Sequence, residues 1–104
     1  MYGTIRRYEA TDQNFASELV RKVNETFVPR LSKLPGFSGY HLIEADNGVM
    51  SSISFFDTSA QADEATRLAS TWVREQKLEK ALPNPPKITS GEIVVSKTHE
   101  LVPA

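Results

Sequence analysis

Two β-rich runs, Phe37 to Ala45 and Val49 to Phe56, are separated only by Asp46-Asn47-Gly48. So short a connection predicts an antiparallel hairpin, and its residues tolerate the positive φ that a tight turn requires. On the N-terminal side, Pro35-Gly36 closes the preceding element as helix stops usually do. The hairpin therefore sits after a helix, and the rest of the chain must arrange itself around that fact.

Upstream, Phe15, Leu19, Val23, Phe27, Leu31 and Leu34 recur at three- or four-residue spacing. They form one apolar stripe along a helix. Thr11 or Asp12 can accept hydrogen bonds from its first free amides. Pro29 removes a backbone donor inside this pattern, which predicts a kink near Thr26–Val28. Before the helix, Tyr2 to Glu9 reads as a strand. After the hairpin, Asp57, Thr58 or Ser59 can cap a second helix. Its inward row is Ala62, Ala65, Ala69, Trp72, Val73 and Gln76, and it should end before Pro83. Pro83-Asn84-Pro85-Pro86 is a stiff connection. Lys87 to Lys97 is the last strand, and residues 98–104 form a fraying tail.

The order β-α-β-β-α-β, with right-handed crossovers, implies an α+β ferredoxin-like fold. Four antiparallel strands form one sheet, the first and third are central, and two helices cover one face. With 104 residues, one domain spanning 1–104 is the expectation. Alternation along the third strand puts Met50, Ser52, Ser54 and Phe56 on one face and Val49, Ser51, Ile53 and Phe55 on the other. The first set, with Tyr2, Thr4, Arg6 and Tyr8, is assigned to the open face. A second copy of the chain would cover it as a homodimer; a solvated sheet is the alternative.

Net charge is −1, with no basic run, so neither nucleic acid nor an anionic membrane is expected as a partner. The chain has no cysteine, hence no disulfide, thiolate zinc site or thiol nucleophile. No metal-ligand spacing, phosphate loop or dinucleotide fingerprint is present. MYGTIRRYEA lacks the apolar stretch of a signal peptide, and a cytoplasmic protein is expected.

Several segments carry a family pattern. They are Arg7-Tyr8-Glu9, Val28-Pro29-Arg30-Leu31, Leu34-Pro35-Gly36-Phe37-Ser38-Gly39-Tyr40, Ser54-Phe55-Phe56-Asp57 and Gly91-Glu92-Ile93-Val94-Val95. In these the chain resembles the antibiotic biosynthesis monooxygenase (ABM) domain-like proteins of the dimeric α/β-barrel superfamily, over about residues 2–97. The resemblance implies a dimeric α/β-barrel. It also implies a cofactor-independent monooxygenase acting on a small aromatic or quinol-like molecule, with no cofactor. A non-catalytic ligand-binding or interaction domain on the same scaffold is the alternative. Haem-degrading relatives carry an Asn late in the first strand and a Trp and a His on the second helix. Here Arg6-Arg7-Tyr8 ends the strand, and that helix has Trp72 but no His, which speaks against haem degradation.

The candidate catalytic residues are His41 and Trp72. His41 changes protonation near neutral pH and could accept a substrate proton; alternation puts it with Phe37, Gly39 and Ile43, opposite Tyr40 and Leu42, on an edge strand where it reads first as a surface histidine. Trp72 could stack on an aromatic ligand or simply fill the core. The substrate-binding candidates are Arg6, Tyr8, Asn24, Ser51 and Trp72. An inward arginine could bind an enolate, phenolate or carboxylate, or form a salt bridge to Glu9, Glu44 or Glu92. Tyr40 offers a weaker polar group, and His99 lies in the tail.

Overall fold

The computed structural model describes residues 1–98. His99 and all of the expected tail except Thr98 lie outside the described residues. Strands β1 (Tyr2–Tyr8), β2 (Phe37–Glu44), β3 (Met50–Phe56) and β4 (Lys87–Glu92) form one antiparallel sheet in the order β2-β3-β1-β4. The first and third strands are central, as the ferredoxin-like topology requires. Asn47 and Gly48 both take positive φ, 65° and 73°, and Ala45 N–H donates to Val49 O at 2.9 Å to close the hairpin.

The first helical stretch begins with a short 3₁₀ turn, Gln13–Phe15, capped by the Asp12 carboxylate, which accepts from Asn14 N–H. It continues as α1 (Ala16–Lys22), a π turn (Val23–Phe27) and α2 (Val28–Leu31). The π turn answers a mismatch in the sequence. Phe15, Leu19, Val23, Phe27 and Leu31 are spaced by four, whereas an α-helix turns every 3.6 residues, so the stripe would drift by about 40° per step. A wider turn takes up the excess. Val28 N–H then reaches Val23 O, five residues back. Leu19, Val23, Phe27 and Leu31 all end up buried. The expected disturbance near Pro29 is this π turn, with Pro29 itself in the first turn of α2, where its missing N–H is harmless.

The second long helix, α3 (Ser59–Glu75), starts at a capping box between Thr58 and Gln61. Its buried row is Ala62, Ala65, Ala69 and Trp72. The alanines let the helix lie close to β3 and β1.

Three expectations need correcting. The faces are inverted: Met50, Ser52, Ser54 and Phe56, with Thr4 and Arg6, are buried beneath the helices. The uncovered face carries Ile5, Ser51, Ile53 and Phe55. Phe37 also changes sides. A bulge between Phe37 and Gly39 breaks the alternation of β2, so Phe37 packs edge-on against Phe56 at 5.8 Å while Gly39, His41 and Ile43 lie on the uncovered face. Finally, β4 stops at Glu92 rather than Lys97. Ile93 N–H still bonds to Met1 O, and beyond it Val94 and Val95 stand 86% and 87% exposed.

Candidate functional site

The covered face of β1 and β3 is unusual in being polar along its centre. Thr4, Arg6, Ser52 and Ser54 are buried there, and Thr4 Oγ1 lies 3.0 Å from Ser90 Oγ on β4. Arg6 is the exceptional member. Its residue is only 2% exposed, yet it belongs to none of the ion pairs among the described residues. One guanidinium nitrogen, Nη2, donates to Thr66 Oγ1 on α3 at 2.8 Å, and that hydroxyl in turn donates to Ala62 O. The buried Nε has no hydrogen-bond partner. The neighbouring Arg7 behaves oppositely: it points to the uncovered face and pairs with Glu9 at 3.6 Å.

A buried cation without a carboxylate is expensive, because desolvation is not offset by a partner charge. Burial accordingly lowers the pKa of Arg6, while Tyr8 and Tyr40 pull it back up. Both phenols respond to the same dry setting. Burial raises Tyr8, with Arg6 opposing. Burial also pushes Tyr40 up to about 12, against a hydrogen bond with Ser52 and the charge of Arg6. Arg6 is thus flanked by two neutral phenols that can donate hydrogen bonds.

These groups border two adjoining spaces. The first is a chamber of about 40 Å³ between the sheet and the helices, walled by Trp72, Phe27, Val23, Leu19, Leu42 and Met50, with Arg6, Tyr8, Tyr40 and Ser52 as its polar groups. The second is an open groove of about 550 Å³ between α3 and the segment Leu82–Pro86. Arg6, Tyr8, Ala69, Val73 and Leu82 line both, so they form the partition. Leu82 N–H is held by Leu78 O at 2.8 Å, which fixes the outer side of that partition. The far wall is an aromatic cluster: Phe27 meets Trp72 at 5.1 Å and Tyr40 at 5.6 Å.

The sequence candidates separate cleanly in space. Arg6 and Tyr8 border both spaces, and Trp72 borders the chamber. Ser51 and His41 lie on the uncovered face, His41 edge-on to Phe55 at 6.2 Å, so the sheet separates them from Trp72. Asn24 is exposed and lines a different surface groove, against β2.

No protein-family model matches the chain, and no curated protein matches it. Solved structures do. A proposed antibiotic biosynthesis monooxygenase from Nitrosomonas europaea superimposes with a TM-score of 0.71 at 13% identity, over 89% of this chain and 89% of that one. A monooxygenase from the Streptomyces coelicolor gene ActVA-Orf6, solved with nanaomycin D, gives 0.68 at 13% identity, over 99% and 92%. A dimeric ferredoxin-like protein from an uncultured marine organism gives 0.71 at 14% identity, over 95% and 92%.

The chain has the ABM-like fold.

Identity this low speaks for the fold and leaves the chemistry to the residues. Within this ABM-like fold, three contributors escaped sequence reasoning or were underweighted. Tyr40 lies on the covered face opposite Ser54 of β3. Thr66 holds Arg6 from α3. Leu82 comes from a loop whose path no periodicity describes. Among the described residues, no three metal-ligating side chains gather.

Proposed function

We propose that the groove binds a small aromatic anion, a phenolate or quinol-like enolate, with its negative oxygen on Arg6. The observation that carries this reading is the buried Arg6 guanidinium, which has no carboxylate partner and an unbonded Nε among the described residues. An anionic ligand would supply the missing charge and acceptor. Tyr8 would add a hydrogen bond, and Val73, Leu82 and Ile88 along the groove would take the ring.

The reaction supported by this arrangement is cofactor-independent monooxygenation. The bound anion is electron-rich, and it can give one electron to dioxygen. Recombination of the ring radical with superoxide forms a carbon–oxygen bond, and the peroxide anion takes up a proton from solvent through the groove. Loss of hydroxide from the resulting hydroperoxide, with loss of the ring hydrogen, leaves a quinone. One oxygen atom enters the ring, and the other leaves as water. The protein's part is to stabilise the anion and exclude water around it. Among the described residues, the only carboxylate bordering either space is Glu79, exposed at the groove. The phenolic proton would therefore leave through the groove to solvent. That lack of an internal base also favours the second reading, a binding protein that holds the anion without transforming it.

The chain contains a single tryptophan, so its fluorescence reports from the chamber wall. Titration with 2-hydroxy-1,4-naphthoquinone, an acidic hydroxyquinone, should quench Trp72, and the neutral 2-methyl analogue should bind far more weakly. Arg6→Gln should weaken the anion by roughly 30-fold or more. Equal binding of both probes would overturn the assignment. Oxygen uptake with a panel of quinols then separates enzyme from binder.

The uncovered sheet face supports a homodimer. Ile5 and Ile43 stand 43% and 49% exposed there, beside Ile53 and Phe55. Gly3, Gly39 and Gly91 share the row of Phe55; the Phe55 ring lies over Gly3 and Gly39, and the space beside Gly91 is open to a second sheet. Light scattering should report twice the chain mass, and Ile53→Glu should halve it. A monomeric wild type at micromolar concentration would exclude this assembly.

A further inference from the structure

We infer that the inner chamber is a dioxygen site, and that the aromatic ring is held on the groove side of the partition. The inference rests on the proposed oxygenase reading and adds to it a location for the second substrate. Size decides the matter. The chamber measures about 40 Å³, whereas a cavity that takes a benzene ring measures roughly 150 Å³. A ring does not fit, but a diatomic molecule does. The groove, at about 550 Å³, holds a bicyclic ligand without rearrangement.

Chemistry points the same way. Besides its polar groups, the chamber walls are hydrocarbon and aromatic, and the side formed by Trp72, Phe27 and Met50 suits a small apolar gas. Arg6 borders both spaces. Its positive charge can therefore hold the ring oxygen on one side and favour the superoxide developing on the other, in a dry setting where such an interaction is strong. Of the five partition side chains, Ala69 is small and Val73 and Leu82 can yield by rotamer change, which opens a path between the oxygen and the reacting carbon.

Xenon is the probe, because it occupies dry apolar cavities and needs no turnover. Crystals of the wild-type protein under xenon pressure should show one atom in the chamber, beside Trp72, Phe27 and Met50. Val23→Leu narrows the chamber without touching the groove. It should abolish xenon occupancy and raise KM for oxygen several-fold, while affinity for 2-hydroxy-1,4-naphthoquinone stays within twofold. Leu42→Phe serves as a second filling variant. Xenon confined to the groove, or a chamber filled by ordered water, would overturn the inference even with anion binding at Arg6 intact. Failure of the naphthoquinone to bind the wild type would instead remove the reading beneath it, and the oxygen assignment with it, whatever xenon does.

Discussion

The indole Nε1–H of Trp72 donates to Thr26 Oγ1 across 2.8 Å, and the same hydroxyl donates to Lys22 O at 2.7 Å. Thr26 lies in the π turn and Trp72 on α3. One hydroxyl therefore ties a distorted helix to its neighbour and fixes the ring that walls the chamber. Trp72 is 3% exposed, so its N–H has no easy recourse to water.

Thr26→Val should destabilise the protein by about 1–3 kcal/mol, because it strands a buried donor. Trp72→Phe should cost a similar amount, by removing ring volume as well as the bond. A double-mutant cycle should show that the two effects are coupled by about 1 kcal/mol. Urea denaturation measures all three. Strict additivity would mean that the contact contributes nothing.

Arg6→Met should behave differently. It removes a buried charge and keeps an unbranched apolar side chain in its place. Thr66 keeps its bond to Ala62 O. The unliganded variant should be as stable as the wild type or up to about 2 kcal/mol more stable, while anion binding is lost. A large drop in thermal midpoint would show that Arg6 is structural.

Gly36 sits at φ +78°, and an added Cβ would run into the Gln61 side chain. Gln61 is half of the α3 capping box. Gly36→Ala therefore combines a left-handed backbone penalty with a damaged cap, about 1–3 kcal/mol together. The chemical midpoint should fall with little change in its slope against denaturant.

Tyr40 sets a pH dependence. Its folded pKa, about 12, lies above the ordinary tyrosine value near 10. The folded state therefore favours the neutral phenol. That contribution is complete below about pH 10 and is lost as pH rises toward 12. Stability should decline through that window, and Tyr40→Phe should flatten the decline. Tyr8, shifted the same way, accounts for what slope is left.

The element order, both turns, the central strands and the buried stripe of the first helix were legible in the sequence because each rests on a local rule. The parity of the sheet was not. Both faces of β3 carry large apolar residues, Met50 and Phe56 on one and Ile53 and Phe55 on the other, so hydrophobicity alone does not choose between them. The choice depends on α3, whose alanine row suits a face of serines and threonine. Phe37 misled for a related reason: a bulge resets alternation, and Gly39 was its only trace. The site was half legible. Arg6, Tyr8 and Trp72 were found as residue types, but the lack of a partner for Arg6 is a property of the folded interior that no spacing encodes.

The π turn carries one more consequence. A helix that holds an extra residue between Val23 and Phe27 has two phases, one before the turn and one after. Losing or gaining a residue there would rotate Leu19 against Leu31 while leaving the sheet untouched. Chains of this shape could thus trade ligands through a change of length in one helical turn, without redesigning the strands that hold Arg6.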